Sequence, residues 1–438
     1  MAFDISHFGL SSETLPAGWR EDRLDAIADF NPEQVDMNYP HAFIEYLDIS
    51  NVSKGMIGKP ELLALENAPS RAKRIVLEND TIISTVRPGN RAYTFLKKIP
   101  PNLIVSTGFA VLRARYSTPR YLYYIATSDP VIDYLASVAE EKTAYPSVNP
   151  SDIAECVVPI PPLPEQRAIA HILGTLDDKI ELNRRMNETL EVMARALFKA
   201  WFVDFDPVRA KAEGRHPGLS KPIADLFPDH FEDSELGRIP KGWEVLSLDQ
   251  IARFLNGLAL QKYPAKDGRS LPVVKIAQLR AGNTDGADLA TADLESDYIV
   301  EDGDVLFSWS GSLECVLWAG GRGALNQHLF KVTSTEFPKW FYYLWIQQHL
   351  EAFRHIAAGK ATTMGHIQRH HLSDAKVLAP PPRLLQVLNK MLDPIVVGVW
   401  RSRVQSRTLA AIRDALLPKL LSGEIRIKDA EKFVEARS

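Results

Sequence analysis

The 438-residue chain holds only two cysteines, Cys156 and Cys315. So far apart, they build neither a disulfide framework nor a four-cysteine zinc site. Long apolar runs are missing as well. Stretches such as Pro394 to Trp400 fall far short of the ~20 residues that cross a bilayer. The N-terminus, MAFDISHFGL, has no basic flank followed by an apolar stretch, so no secretory signal is visible and a reducing cytoplasm is the expected compartment. Nor is there an excess of positive charge. Lysine plus arginine total 51 and aspartate plus glutamate 55, a formal net charge of -4. That excludes a uniformly basic coat for nucleic acid and leaves a local basic groove open.

Catalytic signatures are missing too. Gly58-Lys59 is followed by Pro60 and Gly359-Lys360 by Ala361, so neither continues into a P-loop phosphate cradle. No [DNS]-P-P-[FYW] methyltransferase loop and no G-x-S-x-G elbow occurs. Gly321-Arg322-Gly323 reads as a hairpin turn before it reads as a cofactor loop. His366, His370 and His371 form an H-x-x-x-H-H cluster without an acidic or cysteine ligand inside it, and contacts to an anionic ligand suit it better than a metal. Asp374-Ala-Lys376 and Glu140-Glu-Lys142 resemble the end of a nuclease motif, but neither follows a Pro-Asp strand. No catalytic residue, no metal and no cofactor is expected in this chain.

What the chain does contain is a copy of itself. PAGWREDRLDAIADF (16–30) and PKGWEVLSLDQIARF (240–254) match at eight of fifteen positions, among them Gly18/Gly242, Trp19/Trp243 and Phe30/Phe254. YLYYIATSDPVIDYL (121–135) parallels WFYYLWIQQHLEAFR (340–354), and SDIAECVVPIPPLPEQ (151–166) parallels SDAKVLAPPPRLLQ (373–386). The order is the same in both halves, so the chain is a duplication of a unit too long to be a solenoid repeat. Within each half, short β-rich runs at Thr81 to Val86, Leu103 to Ser106 and Asp304 to Trp309 lie between Pro/Gly/Asn turns, with helical patterns interspersed. The expected fold class is α/β.

Proline closes each globular part, at Pro159–Pro164 and Pro380–Pro382. After Pro164, apolar residues recur at a 3.5-residue spacing: Ile169, Leu176, Asn183, Leu190 and Leu197 on one row, Leu173, Ile180, Asn187 and Ala194 on the next. The second stripe takes Leu388, Ile395, Ser402, Leu409 and Leu416, with Leu392 and Val399 beside them. Pro394 is expected to kink this helix or delay its start, and Gly423 to stop it. Two surface helices, each packed on its own domain, would also fit. The narrow seam favours an antiparallel pair, with Asn183 and Asn187 setting register.

Positive charge gathers in one part of each copy. Residues 71–120 carry ten Lys/Arg against Glu78 and Asp80; residues 351–390 carry six against Glu351 and Asp374. A solvated charged face would look the same, but phosphate contacts are the functional reading. Nearby loops hold side chains that can read bases. They are Arg87, Asn90 and Arg91; Lys142, Thr143 and Tyr145; Ser308, Trp309 and Ser310; Asn326, Gln327 and His328; and Lys360, Thr362, Thr363, His366, Gln368, Arg369 and His370. The copies agree in scaffold stretches and differ in these loops.

The stretch PPLPEQRAIAHILGTLDDKIELNRRMNETLEVMARALFKAWFVDFDPV (161–208) resembles the central region of specificity subunits of Type I restriction–modification enzymes. RDALLPKLLSGEI (413–425), P-x-G-W at each copy's start, STVRP (84–88), SWSG (308–311) and ALNQH (324–328) are similar to other parts of that family. The resemblance implies a first target-recognition domain at 1–163, a spacer helix at 164–205 and a linker at 206–238. It further implies a second target-recognition domain at 239–382, a second spacer helix at 383–424 and a tail at 425–438. It implies double-stranded DNA as ligand, each domain reading half of a split site and the helix pair fixing the gap. Two methyltransferase subunits and restriction/translocase subunits would be partners, bringing S-adenosylmethionine, ATP and magnesium. A coiled-coil adaptor that never touches bases is the alternative. A fused restriction–modification enzyme is a third reading, which the missing motifs disfavour.

Overall fold

The computed structural model describes residues 3–141, 146–265, 268–359, 365–427 and 429–430. It divides into two units, residues 1–179 with 409–438, and residues 180–408.

In the first unit, Pro16 to Trp19 makes a tight turn. Trp19 N–H donates to Pro16 O at 2.9 Å and Gly18 adopts φ +84°, a conformation that glycine takes without steric cost. Strand Arg20–Arg23 then pairs antiparallel with Val157–Ile160, so the start and end of the globular part are stitched together. Between them lie two four-stranded sheets. One runs in the order Glu61–Ala64, Phe43–Leu47, Leu103–Ser106, Ala72–Ile75, with only the central pair parallel. The other is antiparallel throughout, in the order Ala28–Phe30, Phe109–Ala114, Thr81–Ser84, Tyr93–Phe95. Strands Thr81–Ser84 and Leu103–Ser106 are buried at every position, as continuous runs covered on both faces should be. Leu47, Ile82, Leu103, Val105, Phe109 and Val111 form a core between them.

The second unit builds the same arrangement again. Its turn has Trp243 N–H on Pro240 O at 3.2 Å and Gly242 at φ +77°. Glu244–Ser247 pairs with Lys376–Ala379. One sheet runs Leu289–Thr291, Ser270–Val274, Gly323–Leu325, Ile299–Val300, again with only the central pair parallel. The other runs Arg253–Asn256, Leu329–Thr333, Val305–Ser308, Cys315–Leu317, antiparallel throughout. Strand order and direction therefore repeat element for element. The copies part where chemistry demands it. Helix Lys339–Ala358 is unbroken, whereas its counterpart splits into Pro119–Ala126 and Asp129–Glu141, with Pro130 in the first turn of the second piece, where no backbone donor is needed. The indole of Trp19 donates to Glu165 Oε2 at 2.9 Å. The second hinge has Leu385 where the first has Glu165, and the buried Nε1 of Trp243 has no partner among the described residues.

Each hinge leads into a long helix. The first spans Leu163–Phe198 and continues through a π-helical turn, Lys199–Val203. The second spans Pro382–Leu421. Its start thus precedes Pro394 by twelve residues, close to the expected 383, and Pro394 does not delay it. Pro394 is exposed, while Leu388, Leu392 and Val396 around it are buried and hold the helix through the missing backbone bond. Gly423, at φ +70°, lies just beyond the end. Residues 206–238 are ordered, with short helices Asp206–Ala212 and Lys221–Ala224. A hairpin of Phe231–Ser234 and Gly237–Pro240 follows.

The two helices pack against each other within each unit. In the first, Arg413 Nη1 meets Asp177 at 2.8 Å and Arg426 Nη1 meets Glu165 at 3.1 Å. In the second, Asn183 Nδ2 donates to Gln405 Oε1 at 2.9 Å and Ser406 Oγ at 3.2 Å, while Arg403 meets Glu191 at 2.5 Å. Partner numbers fall as helix numbers rise, so the pairing is antiparallel. Ile169, Leu173, Leu176, Asn183, Asn187, Leu388, Leu392, Val399, Leu409 and Leu416 are buried; Ile180, Leu190, Leu197 and Ile395 are half-buried. Asn183 Oδ1 and Asn187 Oδ1 lack partners among the described residues, the energetic cost of polar groups in such a seam. No helix among the described residues is long and apolar enough to cross a membrane.

Candidate nucleic-acid interface

The first copy's loop follows strand Thr81–Ser84. Val148 N–H donates to Thr85 O (2.8 Å) and Arg87 N–H to Pro146 O (2.9 Å), which ties the loop to the chain before helix Pro150–Ala154. Pro88 is buried and opens a single turn, leaving Arg87 and Asn90 exposed on either side. Arg87 (φ +46°) and Arg91 (φ +56°) both take the left-handed conformation, which costs a non-glycine residue about 1–2 kcal/mol. Such strain gathers at ligand-binding segments. The two arginines have different tasks, however. Arg91 clamps Asp129 and Asp133, the latter at 2.9 Å, and so fixes the loop to the following helix. Arg87 has no carboxylate partner among the described residues. Lys142, Thr143 and Tyr145 lie outside the described residues.

The basic window around this loop is not the positive face that its composition suggests. Arg71 pairs with Asp48 (2.9 Å), Lys97 and Arg120 with Asp178 (2.5 and 2.6 Å), and Arg115 with Asp29 (3.0 Å). Arg113 binds Asp80 (2.9 Å) and Glu33. Most of these carboxylates belong to other parts of the chain, which a local charge count cannot see. Lys73, Arg87 and Lys98 stay exposed without a carboxylate partner among the described residues. The two bonds from Arg120 and Lys97 hold Asp178 at a pKa of about 2, the hydrogen bond from Arg120 contributing most.

The second copy assembles its loops into one cluster. Trp309 is half-buried, with ring centroids of His328, Phe330 and His366 at 5.7, 6.2 and 6.4 Å. Its indole N–H donates to Asn256 Oδ1 (2.9 Å) and Gln327 O (3.1 Å). Ser310 Oγ lies 3.0 Å from His328 Nδ1, and Gln327 Nε2 lies 3.5 Å from His328 Nε2. Three of the residues read from the sequence as contacts are buried in holding this cluster, Ser310 being one of them. Ser308 is fully buried, with its hydroxyl bonded to Ser312 O (2.7 Å) and to Glu314 N–H (2.8 Å); Asn326 is buried and receives His328 N–H (3.2 Å). Gln368, Arg369 and His370 are exposed. Arg369 stands over the Phe330 ring at 5.7 Å, and His370 packs on His371 at 4.0 Å. Arg369 and His370 also line an open cleft of about 730 Å³ with Asp249, Arg253 and Ser373. Lys360, Thr362 and Thr363 lie outside the described residues. The sequence does not single out Asn256, which joins this cluster only because the folded sheet brings its strand end to the indole. Among the described residues, no group of three or more His, Cys, Asp or Glu is placed to hold a metal.

The family profile described as the Type I restriction modification DNA specificity domain matches this chain twice, at residues 38–192 and 240–394. The chain belongs to that family. The two matches fall on the two copies and run on into the long helices. Among curated proteins, the specificity domains are similar to the HindI specificity subunit of Haemophilus influenzae, 26% identical over 463 residues, covering 93% of this chain and 99% of that protein. They are also similar to the MjaIX specificity subunit of Methanocaldococcus jannaschii, 26% identical over 391 residues, covering 87% and 86%. Among solved structures, the S subunit of a Type I restriction–modification system from M. genitalium matches with a TM-score of 0.52 at 14% identity, over 94% of this chain and 97% of that one. The HsdS subunit from Thermoanaerobacter tengcongensis aligns over 94% and 98% with a TM-score of 0.38 at 22% identity.

Proposed function

We propose that this chain is the address-reading subunit of a Type I restriction–modification complex. Its first domain reads one half of a split DNA site and its second domain reads the other. The observation that carries this reading is the duplication: one strand order is built twice, while the loops at corresponding strand ends carry unrelated polar residues. Two readers of two different words need that combination. Domain limits follow the sequence reading, 1–163 and 239–382, with the helices 164–205 and 383–424 between and after them. The helix pair sets the gap between half-sites and offers its outer surface to two methyltransferase subunits, which restriction subunits join. The chain works in the cytoplasm and performs no chemistry itself. S-adenosylmethionine, ATP and magnesium are cofactors of its partners. In the first domain Arg87 and Asn90 face DNA, and Lys142, Thr143 and Tyr145 are further candidate contacts. In the second, Trp309, Gln327, His328, His366, Gln368, Arg369 and His370 do so, with Lys360, Thr362 and Thr363 in the adjoining segment.

Replacing residues 239–382 by the corresponding domain of a relative with a different target tests this reading. The expected result is a methylated site altered in one half only. A site altered in both halves, or in neither, contradicts it. Retained assembly without any DNA binding would favour an adaptor role.

A further inference from the structure

We infer that Asn256 is a specificity-determining residue of the second domain, and that it meets DNA with hydrogen-bond donors only. The inference rests on reading this chain as a DNA-recognition subunit. Asn256 ends strand Arg253–Asn256 and is exposed. Its carbonyl oxygen accepts the Trp309 indole N–H at 2.9 Å, and the Trp309 ring is flanked by His328 and Phe330. The amide oxygen is therefore turned toward the protein. Its Nδ2 has no partner among the described residues and carries two free N–H groups.

The backbone beneath it is fixed as well. Gly257 lies so close to the neighbouring strand that a Cβ there would stand 2.3 Å from Asn326 O. Gln327 N–H donates to Leu258 O at 2.9 Å, which binds the segment after Asn256 to the LNQH loop. Asn256 is thus held by groups on both sides, the preorganisation that a discriminating contact needs.

An asparagine free to use both amide atoms pairs with adenine, accepting from N6 and donating to N7. With the oxygen turned toward Trp309, the Nδ2 donors are the groups that face outward. The base that satisfies them offers acceptors in the major groove. Guanine offers two, N7 and O6, thymine offers O4 and adenine offers N7 beside its N6 donor, whereas cytosine presents its N4 donor and leaves Asn256 unmatched. One position of the second half-site should therefore favour guanine and exclude cytosine on the strand that Asn256 meets.

The test uses the full chain assembled with its methyltransferase partners and a duplex library randomised in the second half-site, with methylated products sequenced. Wild type should deplete cytosine at one position. Asn256→Asp keeps an oxygen for Trp309 and turns an acceptor outward, so cytosine at that position should gain on the order of tenfold while the first half-site is unchanged. Trp309→Phe releases the amide to rotate, and adenine should then gain relative to guanine at the same position, the freed oxygen meeting its N6 donor. An Asn256→Asp complex with unchanged second-half preference overturns the inference. If that variant is inactive, an unchanged preference in Trp309→Phe overturns it. A wild-type complex that shows no base preference anywhere in the second half-site contradicts DNA reading by this domain, and the inference with it.

Discussion

Arg87 and Arg113 sit in the same basic window and do opposite work. Arg113 makes two bonds to Asp80, whose side chain is 2% exposed, so its removal strands a buried carboxylate. Breaking such a pair costs about 3–5 kcal/mol. Arg113→Ala should lower the thermal midpoint by several degrees without a direct effect on base choice. Arg87→Ala should leave the midpoint unchanged and weaken DNA binding by about 1–3 kcal/mol. Melting curves and gel shifts on both variants separate the roles, and the reverse pattern would exchange them. His349 supplies a second residue-level test. It is half-buried, and its ring nitrogen lies 2.8 Å from Lys376 O. Burial holds its pKa below the ordinary 6.5, with the backbone bond opposing. A depressed folded-state pKa means that its contribution is present above 6.5 and lost as pH falls below it. The second unit should therefore lose stability on mild acidification, and His349→Gln should flatten that slope in denaturation followed from pH 7.5 to 5.5. An unchanged slope would place the titration elsewhere. At this scale the sequence revealed residue types and hid partners. The carboxylates that neutralise Arg71, Arg91, Arg115 and Arg120 are Asp48, Asp129 with Asp133, Asp29 and Asp178, and each of them falls outside the basic window.

Elements were legible where one local rule governed them. Continuous apolar runs at 81–84, 103–106 and 305–308 became fully buried strands, and the 3.5-residue stripe became paired helices. Strand order was not legible. It rests on pairings such as Leu103–Val105 with Glu45–Leu47, which no local pattern encodes. Whether Pro394 delays the second helix was not legible, because the buried Leu388, Leu392 and Val396 that offset its helix-breaking cost are set by the fold. The loop cluster was legible as Trp309, Gln327 and His328 but not as Asn256, since only the folded sheet brings that strand end beneath the indole. The pair of helices carries its own prediction. Inserting one heptad into the first lengthens it by about 10 Å. Sequencing of methylated sites should then show a changed gap or no activity, and methylation at the native gap would count against the helices as a ruler.

For the molecule as a whole, the duplication explains most of what the chain has and lacks. A fold repeated with the same strand order, the same Pro-x-Gly-Trp entry turn and the same proline exit supplies two equivalent platforms. Under the proposed function, divergent loops on them would give two words and the helices between would give a spacing. The measurement closest to this claim is a genome-wide map of methylated adenines in cells carrying the chain with its partner subunits. Two short words separated by a fixed gap are expected, present only when this chain is expressed. One uninterrupted word, or a pattern indifferent to the chain, would contradict the account.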